Sequence, residues 1–127
     1  VADAVIDASA VLACLRNESG GDAVAGRLGQ CILSSANAAE VVSKLIAKGA
    51  TAEEAVRAVR LLPCPIVAVD GALGLRAGAL YQQTSTLGLS LGDRICLALA
   101  EREGIPALTA DRVWTQASLA IEIQLIR

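Results

Sequence analysis

Four carboxylates stand where their spacing could do chemistry: Asp7, Glu40, Asp93 and Asp111. Asp7 follows the apolar run Val5-Ile6, and Asp111 follows Ala107-Leu108-Thr109. Glu40 and Asp93 lie near the starts of two expected helices. The 127 residues include no histidine. Carboxylates without histidine suit an oxygen-ligand cation such as Mg²⁺ or Mn²⁺ better than zinc. Bound to such a group, a divalent cation would polarise phosphoryl oxygens and lower the pKa of a water, so the chemistry expected is metal-assisted phosphoryl transfer. Without a cation, like charges at close range repel, and at least one carboxylate should titrate high. Each acid also has an ordinary use. Asp7 could cap a helix, Glu40 could pair with Lys44 one turn on, and Asp93 and Asp111 could serve a cap and a turn.

Several polar neighbours could support the acids. Ser9 lies two residues after Asp7, Asn37 shares a helical face with Glu40, and Thr109 precedes Asp111 by two. Arg16, Lys44, Lys48, Arg94 and Arg112 are the candidate contacts to a nucleic-acid backbone. With no phenylalanine in the chain, platforms for stacking a base are confined to Trp114 and Tyr81. Eleven basic against thirteen acidic residues give a formal charge of -2, which argues against broad duplex binding. An RNA substrate remains compatible, because bound cations would neutralise part of the acid.

The elements that must position these residues follow from apolar runs and their punctuation. Residues 4–6 predict a buried strand, and Ser9 opens a helix through about residue 16, broken by Ser19-Gly20-Gly21. A short helix is expected over 22–28, a second strand over 31–33, and a helix from there to Lys48, with Gly49 as its C-cap. Thr51 and Glu54 form a capping box for a helix running to about residue 62, where Pro63 and Pro65 stop it. Residues 66–69 read as the third strand and 72–86 as mostly helical. Gly74 and Gly78, four apart, fit close helix packing or chance equally. Ser90 caps a helix through Arg102 that Gly104 ends. Strand 107–109, a short helix over 111–116 and the alternating strand 121–125 complete the chain. Short apolar strands separated by helices predict an α/β fold, a mostly parallel sheet covered on both faces. In such sheets ligands gather beyond the carboxyl ends of the strands, where Asp7 and Asp111 fall.

The length predicts a single domain, 1–127. An apolar fraction of 54% permits a sizeable core, built from Ala, Val, Leu and Ile. Cys14, Cys31, Cys64 and Cys96 make no CxxC pair, and three of them sit among apolar neighbours as buried thiols, which fits a reducing cytoplasm. No transmembrane run and no signal peptide is expected.

Taken together, these segments resemble the PIN-domain family, and within it the VapC-type toxins of bacterial toxin–antitoxin pairs. The likeness rests on Val5-Ile6-Asp7-Ala8-Ser9-Ala10, on Ser34-Ser35-Ala36-Asn37-Ala38-Ala39-Glu40-Val41, on the run from Leu89 through Gly92-Asp93-Arg94 to Ala100, and on Pro106-Ala107-Leu108-Thr109-Ala110-Asp111-Arg112-Val113-Trp114. The resemblance implies a PIN-like three-layer fold, with a five-stranded sheet of order 3-2-1-4-5 flanked by helices. It implies an endoribonuclease dependent on Mg²⁺ or Mn²⁺, cutting single-stranded or loop regions of structured RNA to leave a 3′-hydroxyl and a 5′-phosphate. By motif position Asp7, Glu40, Asp93 and Asp111 would carry the metal, with Ser9, Asn37 and Thr109 in its polar surroundings. It further implies a homodimer silenced by a small antitoxin whose C-terminal segment covers the acidic pocket. The rival readings are an acidic-pocket binding module that cuts nothing and a related DNA nuclease.

Overall fold

The computed structural model describes all residues, 1–127. Five strands form one parallel sheet in the order β3-β2-β1-β4-β5. They are β1 (Ala4–Ile6), β2 (Cys31–Ser34), β3 (Ile66–Val67), β4 (Ala107–Thr109) and β5 (Ile123–Leu125). The order and the parallel sense are those expected. Because side chains alternate across a strand, successive residues of β1 feed different cores. Ala4 and Ile6 join Cys31, Leu33 and Leu108 on one face, whereas Val5 joins Ala107 on the other.

Helices α1 (Ala8–Leu15), α2 (Gly21–Ala25), α3 (Ser35–Ala47) and α4 (Ala52–Arg60) follow in chain order. Val11, Leu12, Val24, Val41 and Val59 from these helices fill the first core. Helices α5 (Gly71–Ala79), α6 (Tyr81–Thr84) and α7 (Leu91–Glu103) complete the set. Leu73, Ala77 and the run Ile95 to Ala100 fill the second core together with Trp114. Trp114 is fully buried and is therefore no stacking platform for a base. Cys31, Cys64 and Cys96 are buried and Cys14 is half-buried, all as free thiols. No helix is long and apolar enough to cross a membrane.

Of the boundaries that differ from expectation, two have identifiable reasons. Helix α1 starts one residue early, because Asp7 and not Ser9 caps it by accepting from the Ala10 N–H. Strand β3 stops at Val67, because the Val69 N–H donates to Ser35 Oγ and Asp70 then caps α5. Strand β5 is three residues long and lies at the sheet edge. The Gly74/Gly78 spacing serves no close packing. A Cβ at Gly78 would meet nothing, and one at Gly74 only Val69 Cγ1 at 4.0 Å. Gly21 does permit a close approach, since a Cβ there would overlap the Ala13 carbonyl where α2 turns back on α1.

Candidate active site

The carboxyl ends of β1 and β4 are joined by side chains. Thr109 donates from Oγ1 to Asp7 Oδ2 at 2.7 Å and accepts from the Asp111 N–H at 3.0 Å. Ser9 Oγ donates to the same carboxylate at 2.8 Å and accepts from the Ala110 N–H at 3.0 Å. Each hydroxyl has one proton, so each can serve the carboxylate while its lone pairs hold the chain leading into Asp111. Ser9 and Thr109 thus fix both the Asp7 carboxylate and the backbone that presents Asp111.

A second cross-link joins α3 to α7. The Asn37 Nδ2 group donates to Glu40 Oε1 at 2.8 Å and to the Gly92 carbonyl at 3.2 Å. Asn37 is buried, and its Oδ1 has no donor. Flipping the amide would set that oxygen against two acceptors, so the orientation is fixed by its partners. Gly92 is the residue whose role the sequence reading missed. A Cβ built on it would overlap Glu40 Oε1, so only glycine lets the first turn of α7 close on Glu40. The available signal was an energetic oddity: glycine inside a helix costs about 0.5–1 kcal/mol relative to alanine. Ser90 and Asp93 form a reciprocal capping box at this turn, Asp93 Oδ2 accepting from the Ser90 N–H at 2.9 Å.

One cleft of about 310 Å³ is lined by Asp7, Ala8, Ser9, Glu40, Lys44, Ser90, Asp93 and Asp111. All four acids singled out by spacing meet on it. They are graded by depth: Asp7 is buried, Glu40 and Asp93 are half-buried, and Asp111 is exposed. Capping and cleft lining are compatible uses, since Asp7, Asp93 and Asp111 each accept from a backbone N–H as well. Asp7 is pushed up to about 6, mainly because burial penalises its charge. Hydrogen bonds from Thr109, Ala10 and Ser9 oppose that shift, and the Asp93 charge adds to it. The Cys96 thiol beneath the cluster is pushed well up by its own burial and by Asp7, Asp93 and Glu40.

The donors present fit a hard divalent cation. They are carboxylate and hydroxyl oxygens, and the deepest carboxylate lacks a compensating positive charge. No three of the acids close on one point as a ready-made cage.

The basic residues divide. Lys44 lines the cleft, and none of the ion pairs joins it to Glu40. Arg16 lies beside it and donates from Nη2 to the Lys44 carbonyl at 3.2 Å. Lys48 and Arg112 are exposed but outside the cleft lining. Arg94 also lies outside the cleft lining. Its guanidinium donates to the Ala77 carbonyl at 3.1 Å and lies 5.2 Å from the centre of the Tyr81 ring, so it is committed to the α5–α6 side.

A larger cleft, about 420 Å³, lies away from the acids on α4, lined by Ala52, Glu53, Val56, Arg57, Arg60 and Leu61. It is mostly apolar and holds no constellation for chemistry, so size alone does not mark the active site here.

A family model described as PIN domain matches residues 4–119. No curated protein matches the chain. Among solved structures, a toxin–antitoxin complex from Klebsiella pneumoniae contains a chain 17% identical at a TM-score of 0.74, with 98% of each chain covered. A DNA-bound VapBC from Salmonella typhimurium matches at 13% identity and a TM-score of 0.75, over 100% of both chains. VapBC2 from Rickettsia felis, bound to a fragment of its promoter DNA, matches at 14% identity and a TM-score of 0.71, over 95% of this chain and 96% of that one.

Proposed function

The chain belongs to the PIN domain family, and from that premise we propose that it is a metal-dependent endoribonuclease of the VapC toxin type, acting as one domain over residues 1–127. The observation that carries this reading is the meeting of Asp7, Glu40, Asp93 and Asp111, from four separate segments, on one cleft beyond the strand ends. The toxin–antitoxin complexes among its structural neighbours support the toxin assignment.

Asp7, Glu40, Asp93 and Asp111 would hold Mg²⁺ or Mn²⁺. When bound, the cation supplies positive charge against the scissile phosphate and lowers the pKa of a water. The protein's own residues do the rest. Ser9 and Thr109 hold the Asp7 carboxylate at a set angle by donating to both of its oxygens. Asn37 fixes Glu40 by donating to Oε1, leaving Oε2 for the cleft. With no histidine, the proton leaving the attacking water passes to a carboxylate oxygen, and cleavage through a histidine-activated ribose hydroxyl is closed to this chain. Lys44, beside the acids, attracts the phosphate backbone, with Arg16 next to it. Incubation with labelled single-stranded RNA and DNA of matched sequence tests the reading. Cleavage of RNA in Mn²⁺ or Mg²⁺, lost in excess EDTA and weak on DNA, is expected. Full activity in EDTA would overturn it.

The partner would be a small antitoxin bound to a toxin homodimer, with its tail over the acid cleft. The apolar cleft on α4 suits a partner helix, because Leu61 is 73% exposed and Val56 lies beside it on the same cleft. Leu61→Asp is expected to weaken capture of the cognate antitoxin at least tenfold by calorimetry, as a charge placed in an apolar contact loses several kcal/mol at most and about 1.4 kcal/mol per tenfold. RNA cleavage by the free toxin should stay within twofold. Unchanged antitoxin affinity would move the docking face elsewhere.

A further inference from the structure

Tyr81 is the one exposed aromatic side chain of this protein. There is no phenylalanine, and the single tryptophan is buried. The Tyr81 residue is 58% exposed, so the ring is not held by burial. It opens α6 directly after Leu80, which is fully buried, so its backbone is anchored although its ring is not.

The ring is held by a cation. The Arg94 guanidinium sits over it at 5.2 Å from the centroid, within the range of a cation–π contact. Arg94 is itself fixed, donating from Nη1 to the Ala77 carbonyl at 3.1 Å. None of the ion pairs involves Arg94, and its buried Nε has no partner. A half-buried guanidinium without a carboxylate is expensive unless an anion comes to it. Arg94 also follows Asp93, which lines the acid cleft, so its backbone lies in the α7 turn at that cleft while its side chain runs to Ala77 and Tyr81.

We propose that Tyr81, backed by Arg94, is a stacking subsite for a nucleobase of single-stranded RNA beside the acid cleft. The inference rests on the nuclease reading above and adds where a base of the substrate is held. In this subsite one ring face meets Arg94, and a base would stack on the exposed remainder of the ring. The Arg94 charge, which no carboxylate pairs, would attract a phosphate of the same strand. Stacking of this kind tolerates any base, so it positions a strand without reading its sequence.

The test is steady-state cleavage of a labelled single-stranded RNA dodecamer in Mn²⁺ by wild type, Tyr81→Ala and Tyr81→Phe, repeated with dodecamers carrying one abasic ribose at successive positions. Tyr81→Ala is expected to raise KM about tenfold with kcat little changed, since stacking one base is worth roughly 1–3 kcal/mol. Tyr81→Phe should restore KM, because the ring and not the hydroxyl does the stacking. Wild type should be weakened by an abasic site at one position near the cut, and Tyr81→Ala should be indifferent there. If RNA is cut but KM is the same in Tyr81→Ala, or both proteins respond alike to every abasic position, the subsite is refuted while the nuclease reading stands. If wild type neither cuts nor binds the RNA, both fall. Circular dichroism of the variants excludes misfolding as the source of a raised KM.

Discussion

Asp7→Asn is expected to lower RNA cleavage by roughly three orders of magnitude and, at the same time, to make the metal-free protein more stable at neutral pH. The activity loss follows from removing the deepest carboxylate, since a ligand that supports several kcal/mol of charge stabilisation costs about tenfold per 1.4 kcal/mol. The stability gain follows from burial. Asp7 is 3% exposed and moves from 3.8 to about 6 on folding. A group whose folded pKa is raised contributes its full stability below the unfolded value and loses it as pH climbs through the folded value. Stability of the metal-free wild type should therefore fall between about pH 4 and pH 6 from this residue, by roughly 3 kcal/mol. Asparagine carries no charge and can still accept from the Ala10 N–H through Oδ1, so the variant escapes most of that loss. A rise in melting temperature on the order of 5–10 °C at pH 7 is expected, shrinking toward zero near pH 4. Thermal melts of both proteins in EDTA across pH 4–8 check it. A variant less stable than wild type at pH 7 would show that the three hydrogen bonds to Asp7 outweigh its burial.

Gly92→Ala is expected to lower cleavage about a hundredfold and leave the fold nearly untouched. The added Cβ falls on Glu40 Oε1, and the Asn37 Nδ2 group lies only 3.3 Å away. The end of a glutamate side chain can swing aside, so the fold survives. The Gly92 carbonyl is held by Asn37, which resists a backbone shift, so the carboxylate moves instead. Alanine also favours the helical backbone by about 0.5–1 kcal/mol, and the melting temperature should hold or rise slightly. Loss of activity without loss of stability would separate Glu40's place in the cleft from any structural use. Unchanged cleavage would remove Glu40 from the site.

Much of this was legible in the chain, for physical reasons that differ by residue. Strands as short as Ala4–Ile6 and Ala107–Thr109 stand out because a parallel sheet covered on both faces needs continuous apolar runs. Asp7 and Asp111 stand out together because each follows such a run, at the strand ends where ligands gather in a parallel sheet. The capping box of Thr51 and Glu54 is local chemistry and appeared as expected. What escaped was set by contacts between distant segments. The direction of the Arg94 side chain depends on Tyr81 and Ala77 in neighbouring helices. Trp114 was read as a stacking candidate, but it fills the core between the sheet and α7. The meaning of Gly92 depends on Glu40, on another helix, and no spacing within α7 could reveal it. Strand β3 ended early because the Ser35 hydroxyl takes the Val69 N–H, a pairing invisible along the chain.

Calorimetric titration of Mn²⁺ into the metal-free protein at pH 7, for wild type and Asp7→Asn side by side, tests the central claim most directly. Wild type should bind the ion, and the variant, folded and more stable, should bind it far more weakly or not at all. No binding by wild type at millimolar Mn²⁺, or equal binding by the two proteins, would contradict a cleft in which these carboxylates share a divalent cation.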